Sequence, residues 1–243
     1  MICVMSCGQL GPFFSSVIAP LFGISMDTSL DIKRLTKYLR LQLVHNFPDE
    51  GDLEDLSQVV SDALKKLEYC FRHSVYSPNW KNEKCYFNHL NADQYVVFIY
   101  FCSVTAFLQC KNIELANKLF YLNKILHSFH CMYDTILPDI FLVIHGSGIV
   151  LGKASYADYF VVTQGCTVGS NPQFQQPKLG KYLFMYPYSS ITGCTTIGNN
   201  ACIANGAFVN DELIDGDSLV IGKSPCLSIK ENKRTRLSYF YPH

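Results

Sequence analysis

Apolar residues in the first half of the chain recur at the three- and four-residue spacing of an amphipathic helix. Charged residues fill the opposite face of each of these stripes. The stripes comprise Ile32, Leu35, Leu39 and Leu43, then residues 52–69, and then residues 112–128. Between them, residues 75–91 are rich in turn-forming side chains. We therefore predict an α-helical domain over residues 1–128.

One segment of this half is apolar on every side. Residues 95–108 (YVVFIYFCSVTAFL) form a run of 14 residues, shorter than the ~20 that a membrane-spanning helix needs. We predict a buried helix over about 93–110 and no membrane span. The first 25 residues lack a basic start, and Pro12 and Pro20 interrupt their apolar stretch. We expect no targeting signal and a cytoplasmic location.

After Asp134 the spacing changes from helical to a period of six. Aliphatic residues stand six apart at Leu179, Met185, Ile191, Ile197, Ile203 and Val209. Small residues precede four of them by two positions: Ser189, Thr195, Ala201 and Ala207. An earlier set keeps the same step: Val150, Tyr156, Val162 and Val168. This period is typical of hexapeptide repeats, in which the aliphatic residue points into a triangular coil and the small residue fits its corner.

The whole chain is therefore expected to be an α+β protein with a parallel β-helix over residues 129–229 and a C-terminal tail over 230–243. A β-sandwich would alternate strictly and turn every 8–12 residues, which this half does not do. Residues 169–177 (GSNPQFQQP) break the period. We predict that they form a loop inserted at one corner, a place where solenoids commonly bind ligands.

Composition excludes several classes of protein. Lys+Arg and Asp+Glu both number 20, and the pI is about 7.0, so there is no basic excess for nucleic acid. Eleven cysteines occur without any C-x-x-C pair, which argues against a zinc site. We expect most of them to be small buried residues of a protein in a reducing compartment.

His145 is the candidate for catalysis in the β-helical half. It directly precedes a glycine-rich segment, residues 146–152, where a ligand can approach the backbone closely. A single histidine cannot form a three-histidine metal site, so we expect no metal. One histidine suffices as a general base, because imidazole titrates near neutral pH. The alternative is a structural or surface histidine.

Four motifs in order, at 145–152 (HGSGIVLG), 163–169 (TQGCTVG), 175–180 (QQPKLG) and 221–225 (IGKSP), resemble the serine O-acetyltransferase branch of the hexapeptide acyltransferases. The resemblance covers residues 130–230, and the helical half is organised like that family. It implies a left-handed β-helix, a homotrimer or a dimer of trimers, acetyl-CoA as donor and His145 as catalytic base.

The resemblance also implies an aspartate, about one coil upstream, that orients the catalytic histidine. An ungapped match puts His130 at that position. Asp134 is then the first substitute, if the chain shifts by a turn, and Asp139 is the next.

The acceptor positions depart from the family as well. Ile144 stands where the family has aspartate, and Gln175 and Gln176 stand where it has arginine and histidine. Isoleucine holds no charge, and glutamine cannot form the bidentate pair that arginine offers a carboxylate. Glutamine does offer neutral donors and acceptors that suit sugar hydroxyls. We predict that these three residues bind the acceptor.

For the donor, the resemblance implies backbone amides in a groove between neighbouring chains, at positions that match Pro187 and Asn205. Proline has no N–H, so Tyr188 or Ser189 would serve in its place. Lys223 and Lys230 are the candidates for the nucleotide phosphates of acetyl-CoA.

The first hypothesis is an acetyl-CoA-dependent O-acetyltransferase that acts on a hydroxyl of a sugar or glycan precursor. One alternative is serine O-acetyltransferase of cysteine biosynthesis. The other is a non-catalytic scaffold in which the β-helix serves trimerisation alone.

Overall fold

The computed structural model of the chain describes residues 25–49, 51, 53–233 and 239–240. The N-terminal stretch for which we predicted no targeting signal lies outside this set apart from Ser25, as does most of the predicted C-terminal tail. Four helices make up the first half: α1 (Ile32–Asn46), α2 (Leu56–Arg72), α3 (Ala92–Leu108) and α4 (Ile113–His127).

The helices form where the sequence predicted them. Three are capped by side chains that accept hydrogen bonds from first-turn N–H groups, namely Asp31 for α1, Asn91 for α3 and Asn112 for α4. Most of α3 is buried among the other helices, which confirms a core helix. No helix in the described part of the chain combines the length and the apolar character needed to cross a membrane.

The helical half also contains a small sheet that we did not predict. Its strands are β1 (Asp27–Thr28), β2 (Trp80–Lys81) and β3 (Lys84–Phe87). Asn82 and Glu83 join β2 to β3, and both have positive φ angles, of 51° and 63°. Two such residues are what a tight hairpin turn needs, so the turn-rich segment folds into an antiparallel pair.

The second half is a parallel β-solenoid of about five turns, as predicted. Its strands lie on three faces. Face I carries β5 (Phe141–Ile144), β7 (Phe160–Thr163), β10 (Phe184–Met185) and β13 (Cys202–Ile203). Face II carries β4 (Phe129–His130), β6 (Ile149–Leu151), β8 (Thr167–Gly169), β11 (Ser190–Thr192) and β14 (Phe208–Asn210). Face III carries β9 (Lys178–Leu179), β12 (Thr196–Ile197) and β15 (Leu213–Ile214).

All six aliphatic residues of the main repeat are buried inside the prism, and the four small residues are buried at its corners. The prediction for the earlier set, which begins at Val150, is only partly correct. Val162 and Val168 point inward, but Val150 lies outward and is 40% exposed, and its neighbours Ile149 and Leu151 fill the interior instead. The period fails there because ten residues separate Leu151 from the next inward residue of face I, Val162, whereas eleven separate Ile191 from Ile203 in a regular coil.

Stacked glycines let successive coils approach closely at the corner that follows face III. A Cβ atom placed on Gly198 would lie 2.3 Å from the backbone nitrogen of Gly216. A Cβ on Gly180 would likewise lie 2.6 Å from the backbone of Gly198. No side chain fits in that space, so these glycines of the repeat are required by packing.

The solenoid ends in an antiparallel hairpin. Strand β16 (Ser218–Lys223) crosses from face I to face II, and β17 (Cys226–Glu231) returns along it. The predicted boundary at residue 229 therefore falls inside β17, and residues 230 and 231 belong to a strand rather than to a tail.

Tyr239 and Phe240 lie over the outer side of face I. The N–H group of Val75 donates to the carbonyl of Tyr239 at 2.8 Å, and the Tyr239 ring lies 5.4 Å from that of Phe184. Phe240 is 3% exposed and packs on a cluster of face I side chains that includes Leu142. The chain therefore covers part of this apolar face with its own C-terminal residues.

The cysteines agree with the sequence prediction. The described residues contain nine, all of them free, and six of these are buried: Cys70, Cys85, Cys102, Cys131, Cys166 and Cys202. Burial raises the pKa of the Cys70 thiol to about 12, so it stays protonated and acts as a small apolar side chain.

Candidate active site

His145 lies at the edge of the prism where face I meets face II. Seven residues separate Val143 from Leu151 in the first coil, whereas five separate their partners Val162 and Val168 in the second. The first coil therefore carries two extra residues at this edge. They form a bulge in which His145 has a φ of 55° and an exposed side chain.

Asp93 holds this bulge in place. Its carboxylate accepts hydrogen bonds from the N–H groups of His145 and Gly146, each at 2.8 Å. Asp93 stands in the first turn of α3, two residues after the capping residue Asn91. Sequence reasoning missed Asp93. The available signal was an acidic residue at the start of a helix that is otherwise apolar, which by itself indicates only favourable charge at a helix N-terminus.

The structure does not bring the two predicted acids to His145. Asp134 forms an ion pair with Lys153 at 2.8 Å, and Lys153 lies at the far end of face II. Asp139 precedes β5 while His145 follows it, so the two are roughly 20 Å apart along an extended strand. Burial and the nearby Asp158 raise the pKa of Asp139. Neither acid can orient His145 within the chain.

His130, the ungapped match for the family's aspartate, lies on face II in register with Val150. Its ring meets Phe120 edge-on. Partial burial and the nearby Lys124 lower the pKa of His130, so it is neutral at pH 7 and does not replace the charge of a carboxylate. Among the residues described here, no carboxylate hydrogen-bonds the ring of His145, and no three metal-ligating side chains cluster together.

Within a single chain the two predicted acceptor glutamines lie away from His145, and Ile144, which directly precedes it, is buried. Ile144 is 6% exposed and packs in the apolar cluster under Phe240. Gln175 is used inside the inserted loop, where its Oε1 accepts from Asn171 at 2.7 Å. Gln176 is exposed on the same loop.

That loop lies at the corner where face II meets face III, and the break in the period predicted a loop at one corner. Ten residues separate Val168 from Leu179, whereas five separate Ile191 from Ile197 in the next coil. It therefore stands across the width of face II from His145, and only a neighbouring chain can bring the two together.

The residues predicted to bind acetyl-CoA divide into two groups. The N–H groups of Tyr188 and Ser189 already donate to the carbonyls of Gln164 and Tyr186, and the Ser189 side chain is buried. Neither N–H is open to a ligand. Lys223 lies at the turn of the terminal hairpin, away from Lys230.

Asn205 and Lys230, by contrast, line one cavity of about 660 Å³ at the C-terminal end of the solenoid. Its other walls include the ring of Tyr186 and the side chain of Lys233, which sequence reasoning did not single out.

The bulge and the cavity lie along one edge of the prism. Successive corners at this edge are residues 145–148, 164–165, 186–189 and 204–207. Three coils at about 4.8 Å each place Asn205 about 14 Å from His145. This edge can hold an extended substrate with its reactive end at His145 and a charged end near the lysines.

The chain matches no protein-family model and no curated protein sequence. Solved structures do match its fold. A serine acetyltransferase of Neisseria gonorrhoeae aligns with a TM-score of 0.63 and 19% identity over 83% of this chain and 81% of that one. The same enzyme in complex with serine aligns with a TM-score of 0.58 and 18% identity over 77% of this chain and 81% of that one. A Brucella abortus serine acetyltransferase in complex with coenzyme A aligns with a TM-score of 0.55 and 13% identity over 80% of this chain and 74% of that one.

These similarities define the fold class. The chain has a helical N-terminal region followed by a parallel solenoid, consistent with the left-handed β-helix that the sequence resemblance implied.

Proposed function

We propose that the protein is an acetyl-CoA-dependent O-acetyltransferase with His145 as its general base. The observation that carries the proposal is the placement of His145 and of the cavity lined by Asn205 and Lys230 along one edge of the solenoid. A β-helix serving trimerisation alone would not need a two-residue bulge, held by a carboxylate, at the position of this histidine.

The chemistry requires one base and one oxyanion donor. His145 removes the proton of the acceptor hydroxyl as its oxygen attacks the thioester carbonyl of acetyl-CoA. The resulting oxyanion accepts a hydrogen bond from a backbone N–H of the glycine-rich corner. When the C–S bond breaks, the imidazolium returns the proton to the departing thiolate, and the acetyl ester and free CoA leave.

The donor is expected to lie along the edge between face I and face II. Its nucleotide end takes the cavity, whose lining includes Lys230 and Lys233 as cations for the phosphates, beside one acid, Glu231. No described group accepts a hydrogen bond from the N–H of Asn205, so this N–H is open to the pantetheine arm. The Brucella abortus enzyme of the same fold was solved in complex with coenzyme A, which supports acetyl-CoA as the donor.

An uncharged acceptor, such as a sugar hydroxyl, suits the site better than a free amino acid. Residues 129–233 contain no arginine to pair with a carboxylate. Each oxygen of Asp93 already accepts a hydrogen bond from a backbone N–H group, which leaves this carboxylate fewer lone pairs for an amino group. Ile144 is apolar and buried, in the same cluster as Phe240.

Serine remains the second candidate, because the Neisseria gonorrhoeae enzyme of the same fold was solved in complex with serine.

A homotrimer, alone or paired into a dimer of trimers, completes the proposal. His145 and the inserted loop lie at opposite edges of face II, so Gln175 and Gln176 can meet the acceptor only across an interface between chains. The free cysteines, most of them buried, fit a cytoplasmic location.

Thiol release from acetyl-CoA tests the proposal against its alternatives. We expect release with at least one sugar of an acceptor panel and little with serine, and no comparable release from a His145→Ala variant. A His45→Ala variant, altered at an exposed histidine of α1, should match the wild type. Efficient, saturable turnover of serine would show that the protein is a serine O-acetyltransferase. No thiol release with any acceptor would favour the non-catalytic scaffold.

A further inference from the structure

Gln164 carries a buried polar atom that nothing in the described part of the chain satisfies. Its side-chain oxygen Oε1 is inaccessible to solvent and accepts no hydrogen bond there. Buried amide oxygens in folded proteins nearly always have a donor. An orphan of this kind indicates a partner that arrives in another state of the site.

Gln164 stands beside His145 on the next coil. Ile144 pairs with Thr163 in the parallel ladder of face I, and His145 and Gln164 are the residues that directly follow this pair. Neighbouring strands lie about 4.8 Å apart, a separation that two long side chains can bridge. The ring of His145 likewise has no hydrogen-bond partner within the residues described.

The backbone of Gln164 is held on both sides. Its carbonyl accepts from the N–H of Tyr188 at 2.9 Å, and the N–H of the following Gly165 donates to Ser147 at 2.8 Å. The Tyr188 ring lies so close to Gly165 that an added Cβ would stand 2.3 Å from it. A fixed backbone limits the positions that the Gln164 side chain can reach, which favours a defined contact with its neighbour.

Resting on the proposed function, we infer that Gln164 is the positioning residue of His145, with its Oε1 accepting a hydrogen bond from the Nδ1–H of the imidazole. Nε2 then faces the acceptor hydroxyl as the basic nitrogen. Base–acid pairs elsewhere use a carboxylate for this task, and the structure brings neither Asp134 nor Asp139 to His145. A neutral amide fixes the tautomer without adding charge. In the apo protein such a bond is open and closes as substrate binds.

Nuclear magnetic resonance of the full chain labelled with ¹⁵N-histidine tests the inference without any acceptor. The His145 signals are assigned by their loss in His145→Ala, and spectra are recorded with and without CoA. With CoA bound, the wild type should show His145 as the Nδ1–H tautomer, and Gln164→Leu should abolish that preference. Gln164→Glu should raise the titration midpoint of His145 by about one unit or more, because a carboxylate within reach favours the charged ring.

Gln109→Glu is the matched control, because it makes the same chemical change at an exposed position at the end of α3. It should leave the titration of His145 unchanged. An equal response to both Glu variants, or a wild-type His145 with the Nε2–H tautomer in the presence of CoA, would overturn the inference.

Kinetics give an independent readout with whichever acceptor supports thiol release. Gln164→Leu should lower kcat by roughly 10- to 100-fold and leave the KM for acetyl-CoA unchanged, and Gln164→Glu should recover part of the rate. A rise in that KM with an unchanged kcat would mean that Gln164 binds the pantetheine amide instead, and the inference would fail. Absence of thiol release in the wild type would refute the proposed function, but the magnetic resonance result would still decide the pairing of Gln164 with His145.

Discussion

Asp93 and His145 join the two halves of the protein. The Asp93 carboxylate at the start of α3 accepts hydrogen bonds from the backbone N–H of His145 and of Gly146, each at 2.8 Å. A helix of the N-terminal half thereby fixes the two-residue bulge of the first coil of the β-helix. The helical half therefore has a direct role in the geometry of the candidate active site.

Replacement of Asp93 should loosen the bulge. We expect Asp93→Ala to lower the free energy of unfolding by about 2 kcal/mol, as hydrogen bonds to a charged group are lost. Displacement of the base should lower kcat by up to about 100-fold. The effects of Asp93→Asn should lie between those of the wild type and of Asp93→Ala, because the amide has one oxygen to accept from one of the two N–H groups. Urea unfolding and thiol-release kinetics measure the two effects, and Asp62→Ala, at an exposed ion pair of α2, should leave kcat unchanged.

Removal of the His145 side chain should separate binding from chemistry. We expect His145→Ala to lower turnover by ~10²–10⁴-fold, the usual contribution of a positioned general base. The affinity for CoA, measured by calorimetry, should stay close to that of the wild type, because in the proposed site a backbone N–H and lysines three coils away would hold the donor. A parallel loss of CoA binding and activity would mean that His145 is structural.

The C-terminal residues should contribute to stability. Phe240 is nearly fully buried over face I, so Phe240→Ala should lower the free energy of unfolding by about 3 kcal/mol through lost burial and the cavity it leaves. Phe174→Ala, at an exposed loop residue, should change it little. Equal unfolding midpoints for the two variants would show that the C-terminal segment does not cover face I in solution.

Stability should fall on moderate acidification because of His127. Burial lowers the pKa of His127 to about 4 against the opposing charge of Asp93, whereas in the unfolded chain it is near 6.5. The unfolded state therefore binds the extra proton between these values, and stability decreases as the pH falls through 6.5 towards 4. Between pH 7.5 and pH 5 the contribution of His127 amounts to about 2 kcal/mol.

Urea unfolding at both pH values measures this loss. His127→Gln should remove it, and His45→Gln, at an exposed histidine, should keep the wild-type pH dependence. An unchanged dependence in His127→Gln would contradict the assignment.

Assembly should follow from the faces that the chain does not cover itself. Val150 and Phe208 project outward from face II and remain exposed, and exposed apolar side chains on flat faces favour association. Light scattering should show a trimer or a dimer of trimers. Phe208→Asp should weaken this assembly, while Leu41→Asp, on α1, should leave it unchanged. A stable wild-type monomer at micromolar concentration would rule out a site shared between chains.

Much of the architecture was predictable from local pattern. Helical spacing located α1, α2 and α4, and the period of six located the coils, because both depend on which residues must be buried at a fixed step along the chain. The length of its apolar run located α3. The inserted loop was visible as a break in that period. His145 stood out because glycines follow it and because the surrounding motifs resemble a family.

Only the tertiary structure decided which residues surround His145. Asp93 lies 52 residues away and Gln164 lies one full coil away, and contacts at such separations depend on how the helices dock on the solenoid and on the length of each corner. Val150 points outward because the corner that follows Leu151 is one residue short, and Asp139 precedes β5 whereas His145 follows it. Asp134 and Asp139 were chosen by their distance along the sequence, which does not specify on which edge of a triangular prism a side chain emerges.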